Sequence, residues 1–256
     1  MGWLGEYVLE LVFPTSCAGC GEYGGELVCG DCRSALPLLH GPRCLRCGRP
    51  ALYQVEACAD CLLRRSAFDA TCAAGLYRDP LRAIIHRLKY RNGRRLVPLL
   101  GELMSQTLRR EASPGGAGDF EAVTFVPMHR RKQKERGYNQ AELLAREVAR
   151  HGGLEALPLL RRTRPGAAQA GLDLKARREN VHGAFEVVED AALAYTLAGW
   201  PSRRPHLLLV DDVMTSGFTL SECARALKRA GAGRVTCCVL ARDVPGSNQT
   251  SGHIAR

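Results

Sequence analysis

The sequence predicts an α/β protein: an open, mostly parallel sheet flanked by helices, with a small N-terminal zinc-ribbon module. Two observations carry this. Leu207–Val210 is a continuous apolar run of the kind that forms a buried parallel strand, followed by a turn and a helical pattern. At the other end of the chain, eight of the twelve cysteines form four C-x-x-C pairs, Cys17/Cys20, Cys29/Cys32, Cys44/Cys47 and Cys58/Cys61. The 256 residues hold one large domain plus a small one. The expected division is 1–66 for an N-terminal helix and the double ribbon, 67–244 for the sheet domain, and 245–256 for a tail of disorder-like composition.

The front of the chain comes first. Met1–Phe13 has neither a basic start nor a small-residue cleavage site, so no secretory signal is expected, and no apolar run reaches membrane-spanning length. Trp3, Leu4, Tyr7, Val8, Leu11 and Val12 fall at helical spacing and predict a short amphipathic helix packed on the zinc module. Without a secretory signal a disulfide framework is disfavoured, and a cytoplasmic protein is expected. Two cysteines three apart on a tight turn chelate one Zn2+, and two such knuckles complete a tetrahedron. Gly21 and Gly48 directly follow the first and third pairs, as in zinc-ribbon knuckles. Sequential pairing groups Cys17, Cys20, Cys29 and Cys32 on one ion and Cys44, Cys47, Cys58 and Cys61 on the other; a cross-braced arrangement is the alternative. Four thiolates leave no open coordination position, so both zincs are read as structural. Cys72, Cys223, Cys237 and Cys238 are expected as core thiols.

The formal net charge is +10. Two four-thiolate zinc sites of −2 each reduce it to about +6. A basic balance suits phosphate-rich ligands or nucleic acid.

From Ala67 the elements follow in order. Thr71–Tyr77 reads as a strand. Asp79-Pro80 reads as an N-cap with Pro at N1, opening a helix with Leu81, Ile84, Ile85 and Leu88 on one face and Arg82, His86 and Lys89 on the other. A turn at Arg91–Arg94, a helix over Leu96–Arg110 and a Gly-rich loop at Ser113–Asp119 come next. Ala122–Met128 is a strand leading into a basic loop, His129 to Gln140, and then a helix to about Arg150. A strand at Leu157–Leu160 opens a long polar segment to about His182, the length of a lid or binding loop, holding Gln169, Gly171-Leu172, Arg177 and Asn180. Ala184–Val188 is apolar, and Val235–Ala241 is a late strand.

The strand Leu207–Val210 ends in two carboxylates, Asp211 and Asp212. The turn Thr215-Ser216-Gly217-Phe218-Thr219 follows, and then a helix with Leu220, Ala224 and Leu227 at i, i+4, i+7. Backbone N–H groups and hydroxyls at a helix N-terminus favour phosphate. Carboxylates at the carboxyl end of such a strand face the crevice where open α/β sheets bind ligands. Together they suit a sugar phosphate.

This stretch resembles the phosphoribosyl pyrophosphate (PRPP) fingerprint of type I phosphoribosyltransferases. The C-x-x-C pairs, L-K-Y-x-N-G at Lys89, V-P-x-H with R-G-Y-N-Q, Q-A-G-L…R-x-x-N-V-x-G-A-F and D-D-V-M-T-S-G-x-T, taken in order from Cys17 to about Arg242, together resemble the ComF family of bacterial phosphoribosyltransferase-like proteins associated with competence and DNA uptake. The family's lid commonly has a threonine where Gly166 stands and a basic residue where Leu174 stands, a departure that touches lid chemistry.

The resemblance implies the type I phosphoribosyltransferase fold, PRPP as ligand and Mg2+ travelling with it. It implies Asp211 and Asp212 on the ribose hydroxyls and a cradle of Thr215, Ser216, Gly217 and Thr219 for the 5′-phosphate. His129, Arg130, Arg136 and Lys89 are then the candidates for pyrophosphate, with Arg136 and the two aspartates as the catalytic set. Two functional readings follow. One is an enzyme, a pentosyl transferase whose acceptor is unidentified, because no recognisable base-reading element follows the phosphate loop. The other is a non-catalytic adaptor for PRPP or single-stranded DNA, working with DNA-uptake proteins such as a helicase.

Overall fold

The computed structural model describes residues 15–111, 119–164, 174–188 and 204–244. The expected N-terminal helix, positions 113–118 of the Gly-rich loop, Gln169, Gly171-Leu172 and the C-terminal tail lie outside the described residues.

In chain order the first half forms α1 (Gly30–Ser34), α2 (Ala59–Arg64), β1 (Ala70–Leu76), α3 (Leu81–Leu88), a 3-10 helix (Arg91–Leu96), α4 (Val97–Glu111) and β2 (Ala122–Phe125). The second half forms α5 (Arg130–Arg136), α6 (Gln140–Gly152), β3 (Leu160–Arg162), α7 (Leu174–Val181), β4 (Phe185–Val187), β5 (His206–Met214), α8 (Phe218–Arg229) and β6 (Arg234–Arg242). The central sheet has four strands in the order β1-β6-β5-β2, and each neighbouring pair is parallel. A small antiparallel pair, β3 and β4, stands apart from it.

Strand alternation divides the core in two. Leu208, Val210, Cys238 and Leu240 face one side with α3, α4 and α6; Leu207, Leu209, Cys237 and Val239 face the other with α8 and the β3–β4 pair. Each face also takes one ribbon: Cys17 and Cys32 join the first cluster, Cys44, Cys47 and Cys61 the second. The ribbon also covers the edge of β1, where Leu39 and Thr71 N–H donate to the carbonyls of Ala74 and Leu45 at 2.9 Å. That removes an exposed strand edge. The four remaining cysteines, Cys72, Cys223, Cys237 and Cys238, are buried.

Several expected boundaries move. β5 does not stop at Val210: β6 gives it a ladder partner as far as Met214, so the aspartate pair lies inside the strand. β2 ends at Phe125, short of Pro127, which has no N–H for a ladder. The basic loop is a helical corner instead: His129 caps α5 through Nδ1, which accepts from Arg131 N–H at 3.3 Å, and Gly137 ends it at φ 83°. The strand expected at Leu157–Leu160 falls at Leu160–Arg162. The polar segment contains α7, anchored by the buried Val181. Pro80, not Asp79, occupies the N-cap of α3, and the Asp79 carboxylate pairs with Arg82 at 2.8 Å.

Candidate functional site

The cysteines settle into two groups, Cys17, Cys20, Cys29 and Cys32, and Cys44, Cys47, Cys58 and Cys61, each with its sulfurs within 4.8 Å of one another. This is the sequential grouping rather than the cross-braced one. Within them Sγ–Sγ separations of 3.6, 3.8, 3.9 and 3.8 Å match the edge of about 3.8 Å that a tetrahedron with Zn–S near 2.3 Å requires. Backbone N–H groups of Gly19 and Cys29 donate to Cys17 Sγ at 3.3 Å, and that of Cys58 donates to Cys44 Sγ at 3.2 Å, which stabilises thiolate. In the second group the hydrogen bond from the Cys61 thiol, with the Arg49 amide and the Arg242 guanidinium, brings Cys47 down to about 4. The donor set therefore fits Zn2+ at both sites, with no ligand position left for chemistry.

The second locus is a cleft of about 630 Å³ at the carboxyl ends of β2, β5 and β6. Asp211, Asp212, Thr215, Gly217 and Thr219 line it from the β5–α8 connection, and Lys89 and Arg136 line it from the opposite wall. Because the pair lies within β5, its side chains point to opposite faces of the sheet. Asp212, 7% exposed, joins the face of Leu208 and Val210. There its Oδ2 accepts from Gln140 Nε2 at 3.1 Å and pairs with Lys89 Nζ at 3.4 Å. Asp211 is half-buried on the other face. Burial, together with the neighbouring Asp212 carboxylate, pushes the Asp211 carboxyl well above the usual carboxylate range.

The R-G-Y-N-Q motif builds the opposite wall residue by residue. Arg136 Nη1 donates to Gln140 Oε1 at 2.8 Å, and Gln140 passes the bond on to Asp212. Gly137 takes the left-handed turn between the two helices. The Tyr138 hydroxyl lies against the carbonyls of Leu88 and Tyr90, which fixes the backbone on either side of Lys89. Arg94 stacks 4.7 Å from the Tyr138 ring centroid. Asn139 caps α6 by accepting from Ala141 N–H at 3.1 Å and donates to the Val126 carbonyl at 3.0 Å, tying the corner to the end of β2.

The turn of the cleft is Thr215–Gly217, with Gly217 capping α8 at φ 79°. Ser216 does not line the cleft; its carbonyl accepts from Arg64 Nη1 at 3.4 Å. His129 and Arg130, expected on pyrophosphate, lie off the cleft wall as well: α5 points Lys132 and Arg136, one turn apart, inward in their place. Sequence reasoning missed Lys132, Arg162 and Asp243, which also line the cleft. The signal for Asp243 was present, since an acidic residue closes the β6 run much as the acidic pair closes the apolar run Leu207–Val210.

Comparison with known proteins finds two domain families in the chain. The double zinc ribbon domain family matches residues 8–62, and the phosphoribosyl transferase domain family matches residues 201–251. Competence protein F of Haemophilus influenzae is 31% identical over 216 residues, 84% of this chain and 90% of that protein. The chain belongs to the ComF family. DNA utilization protein YhgH of Escherichia coli O157:H7 is 29% identical over 78% of this chain and 84% of its own length. Competence protein ComFC of Bacillus subtilis is 26% identical over 80% of each. Among solved structures, a glutamine PRPP amidotransferase from B. subtilis overlaps 57% of this chain and 26% of its own at 19% identity and a TM-score of 0.35, too loose a likeness to carry weight. The ComF chain is thus a phosphoribosyltransferase-like domain behind a double zinc ribbon. Among the described residues no helix is long and apolar enough to cross a membrane.

Proposed function

We propose that the cleft binds PRPP and that the protein transfers its phosphoribosyl group to an acceptor, in the cytoplasm and in the service of DNA uptake. The observation that carries this is the convergence, in one cleft, of two strand-end carboxylates, a hydroxyl-bearing turn at a helix N-terminus, and the cations Lys89, Lys132 and Arg136. The link to DNA uptake rests on the names of the relatives, competence protein and DNA utilization protein.

In this reading Thr215, Gly217 and Thr219 hold the 5′-phosphate, where a helix N-terminus favours an anion. Asp211 and Asp212 take the ribose hydroxyls. They are also the residues that would hold Mg2+ brought with the substrate, an ion that neutralises pyrophosphate oxygens. Lys89, Lys132 and Arg136 face the pyrophosphate. The acceptor atom forms its bond to C1 as the C1–oxygen bond to pyrophosphate breaks, and the cations stabilise the charge that gathers on the leaving group. The polar segment expected as a lid falls partly on positions 165–173, outside the described residues.

Calorimetry with PRPP and Mg2+ tests this. Wild type binds; Asp211→Asn combined with Asp212→Asn does not, while its zinc content stays unchanged. Equal PRPP affinity in the double variant refutes the assignment of the pair. A screen of acceptors for pyrophosphate release then separates an enzyme from an adaptor. An adaptor binds PRPP without releasing pyrophosphate, and binds single strands with an affinity that falls steeply with salt.

A further inference from the structure

We infer that Arg242 is a positioning residue: it holds the Thr215–Gly217 turn in shape for a terminal phosphate and ties that turn to the second four-cysteine site. The inference rests on the sugar-phosphate reading of the cleft.

Arg242 is the last residue of β6, opposite Met214, the last residue of β5, and it is 4% exposed. Its Nη1 donates to the Met214 carbonyl at 2.9 Å and also to the carbonyls of Thr215 and Asp243. Its Nε donates to the Cys47 carbonyl at 3.0 Å, and the guanidinium interacts with the Cys47 side chain. One buried side chain therefore meets the end of β5, the start of the turn, the residue after β6 and a zinc knuckle.

The need for such a group follows from the turn itself. Past Met214 the ladder with β6 ends: the Met214 carbonyl still accepts from Asp243 N–H at 2.9 Å, whereas the inward-facing Thr215 carbonyl lies beyond the last ladder bond and needs another donor. A peptide C=O and the N–H of the next residue point in opposite directions. With the Met214 and Thr215 carbonyls drawn inward to Arg242, the N–H groups of Thr215 and Ser216 point away from it. For Thr215, which lines the cleft with Gly217, that direction is toward a bound phosphate, as a phosphate-binding turn requires; Ser216 itself stays off the cleft wall. The guanidinium also sets a fixed positive charge beneath the phosphate position. A buried cation is costly unless it is paired. Here the second four-cysteine site, −2 when it holds Zn2+, lies on its other side. The ribbon thereby supports the turn through Arg242, which lies 195 residues from Cys47 in sequence.

The test is calorimetry on the full zinc-loaded chain with PRPP, ribose 5-phosphate and pyrophosphate as separate probes. Arg242→Met should weaken PRPP and ribose 5-phosphate by the same factor, about tenfold or more, and leave pyrophosphate within about twofold. A merely structural role would weaken all three alike, and that result overturns the inference, as does unchanged ribose 5-phosphate affinity. Where Arg242→Met does not fold, Arg242→Lys carries the test. It keeps the charge but cannot span four carbonyls, so ribose 5-phosphate should still weaken selectively; no change overturns the inference. Cys58→Ser, at the second zinc site, should weaken ribose 5-phosphate more than Cys20→Ser at the first, and equal effects remove the tether. Wild type that binds neither PRPP nor ribose 5-phosphate overturns the sugar-phosphate reading itself, whereas wild-type binding with unaltered variants overturns only the role of Arg242.

Discussion

Gln140→Glu changes one atom at the centre of the cleft's opposite wall. The new side chain still accepts from Arg136, but it turns an acceptor toward Asp212 where Gln140 now donates at 3.1 Å. Two carboxylate oxygens at that separation repel by about 5 kcal/mol at an effective dielectric of about 20. Protonating one of them avoids the repulsion, and with an ordinary Glu pKa near 4.3 this costs about 5 kcal/mol at about pH 8 and about 2 kcal/mol at about pH 6. The protonated pair then restores a donated hydrogen bond. The sign is that of a carboxyl whose folded-state pKa is raised: its stability is fully present below the unfolded value and lost as pH rises through the folded one. The variant should therefore lose about 2 kcal/mol against wild type at about pH 6 and about 5 kcal/mol at about pH 8. Lys89, 3.4 Å from the same oxygen, keeps the upper figure from growing further. Urea unfolding of both proteins at each pH reads this directly, with wild type cancelling any titration of the zinc thiolates. A loss that changes by less than about 0.5 kcal/mol between the two pH values would falsify the Gln140–Asp212 bond.

Three further outcomes follow from the same geometry. Metal analysis should find about two zinc ions per chain, falling to about one in Cys58→Ser, since the two sulfur sets share no residue. In the ligand-free protein Asp211→Asn should be neutral or stabilising near pH 7 and increasingly so at higher pH. Burial and Asp212 raise the Asp211 carboxyl, so its ionisation costs folding stability as pH rises, while an amide keeps the bond from the Asp212 N–H; a variant whose stability relative to wild type falls as pH rises would contradict the burial argument. Gly93→Ala should destabilise by about 2 kcal/mol or more, because a Cβ there lies 2.5 Å from the Leu88 Cα, which is backbone and cannot swing aside. It should also weaken PRPP binding by shifting Lys89, and an unchanged melting temperature would show that the 3-10 helix relaxes freely.

Much of this protein was already determined by its local sequence. The C-x-x-C pairs announce zinc because chelation by two cysteines three apart is a local property. The apolar run at Leu207–Val210 announces a buried parallel strand for the same reason. The apolar faces of α3 and α8 follow helical spacing, and Leu81, Ile84, Ile85, Leu88, Leu220, Ala224 and Leu227 are all buried. What local pattern left open, tertiary contact decided. The choice between sequential and cross-braced cysteines depends on which knuckles the sheet's two faces bring together. Whether β5 ends before or after its aspartates depends on the length of β6, a strand that begins only after the whole of α8. That Lys132 rather than Arg130 faces the cleft depends on the helical phase of α5, which begins where His129 caps it. Arg242 reads in sequence as a basic residue closing a strand. It is buried only because a zinc knuckle and the end of β5 fold over it, since a guanidinium leaves water only where carbonyls wait to receive it.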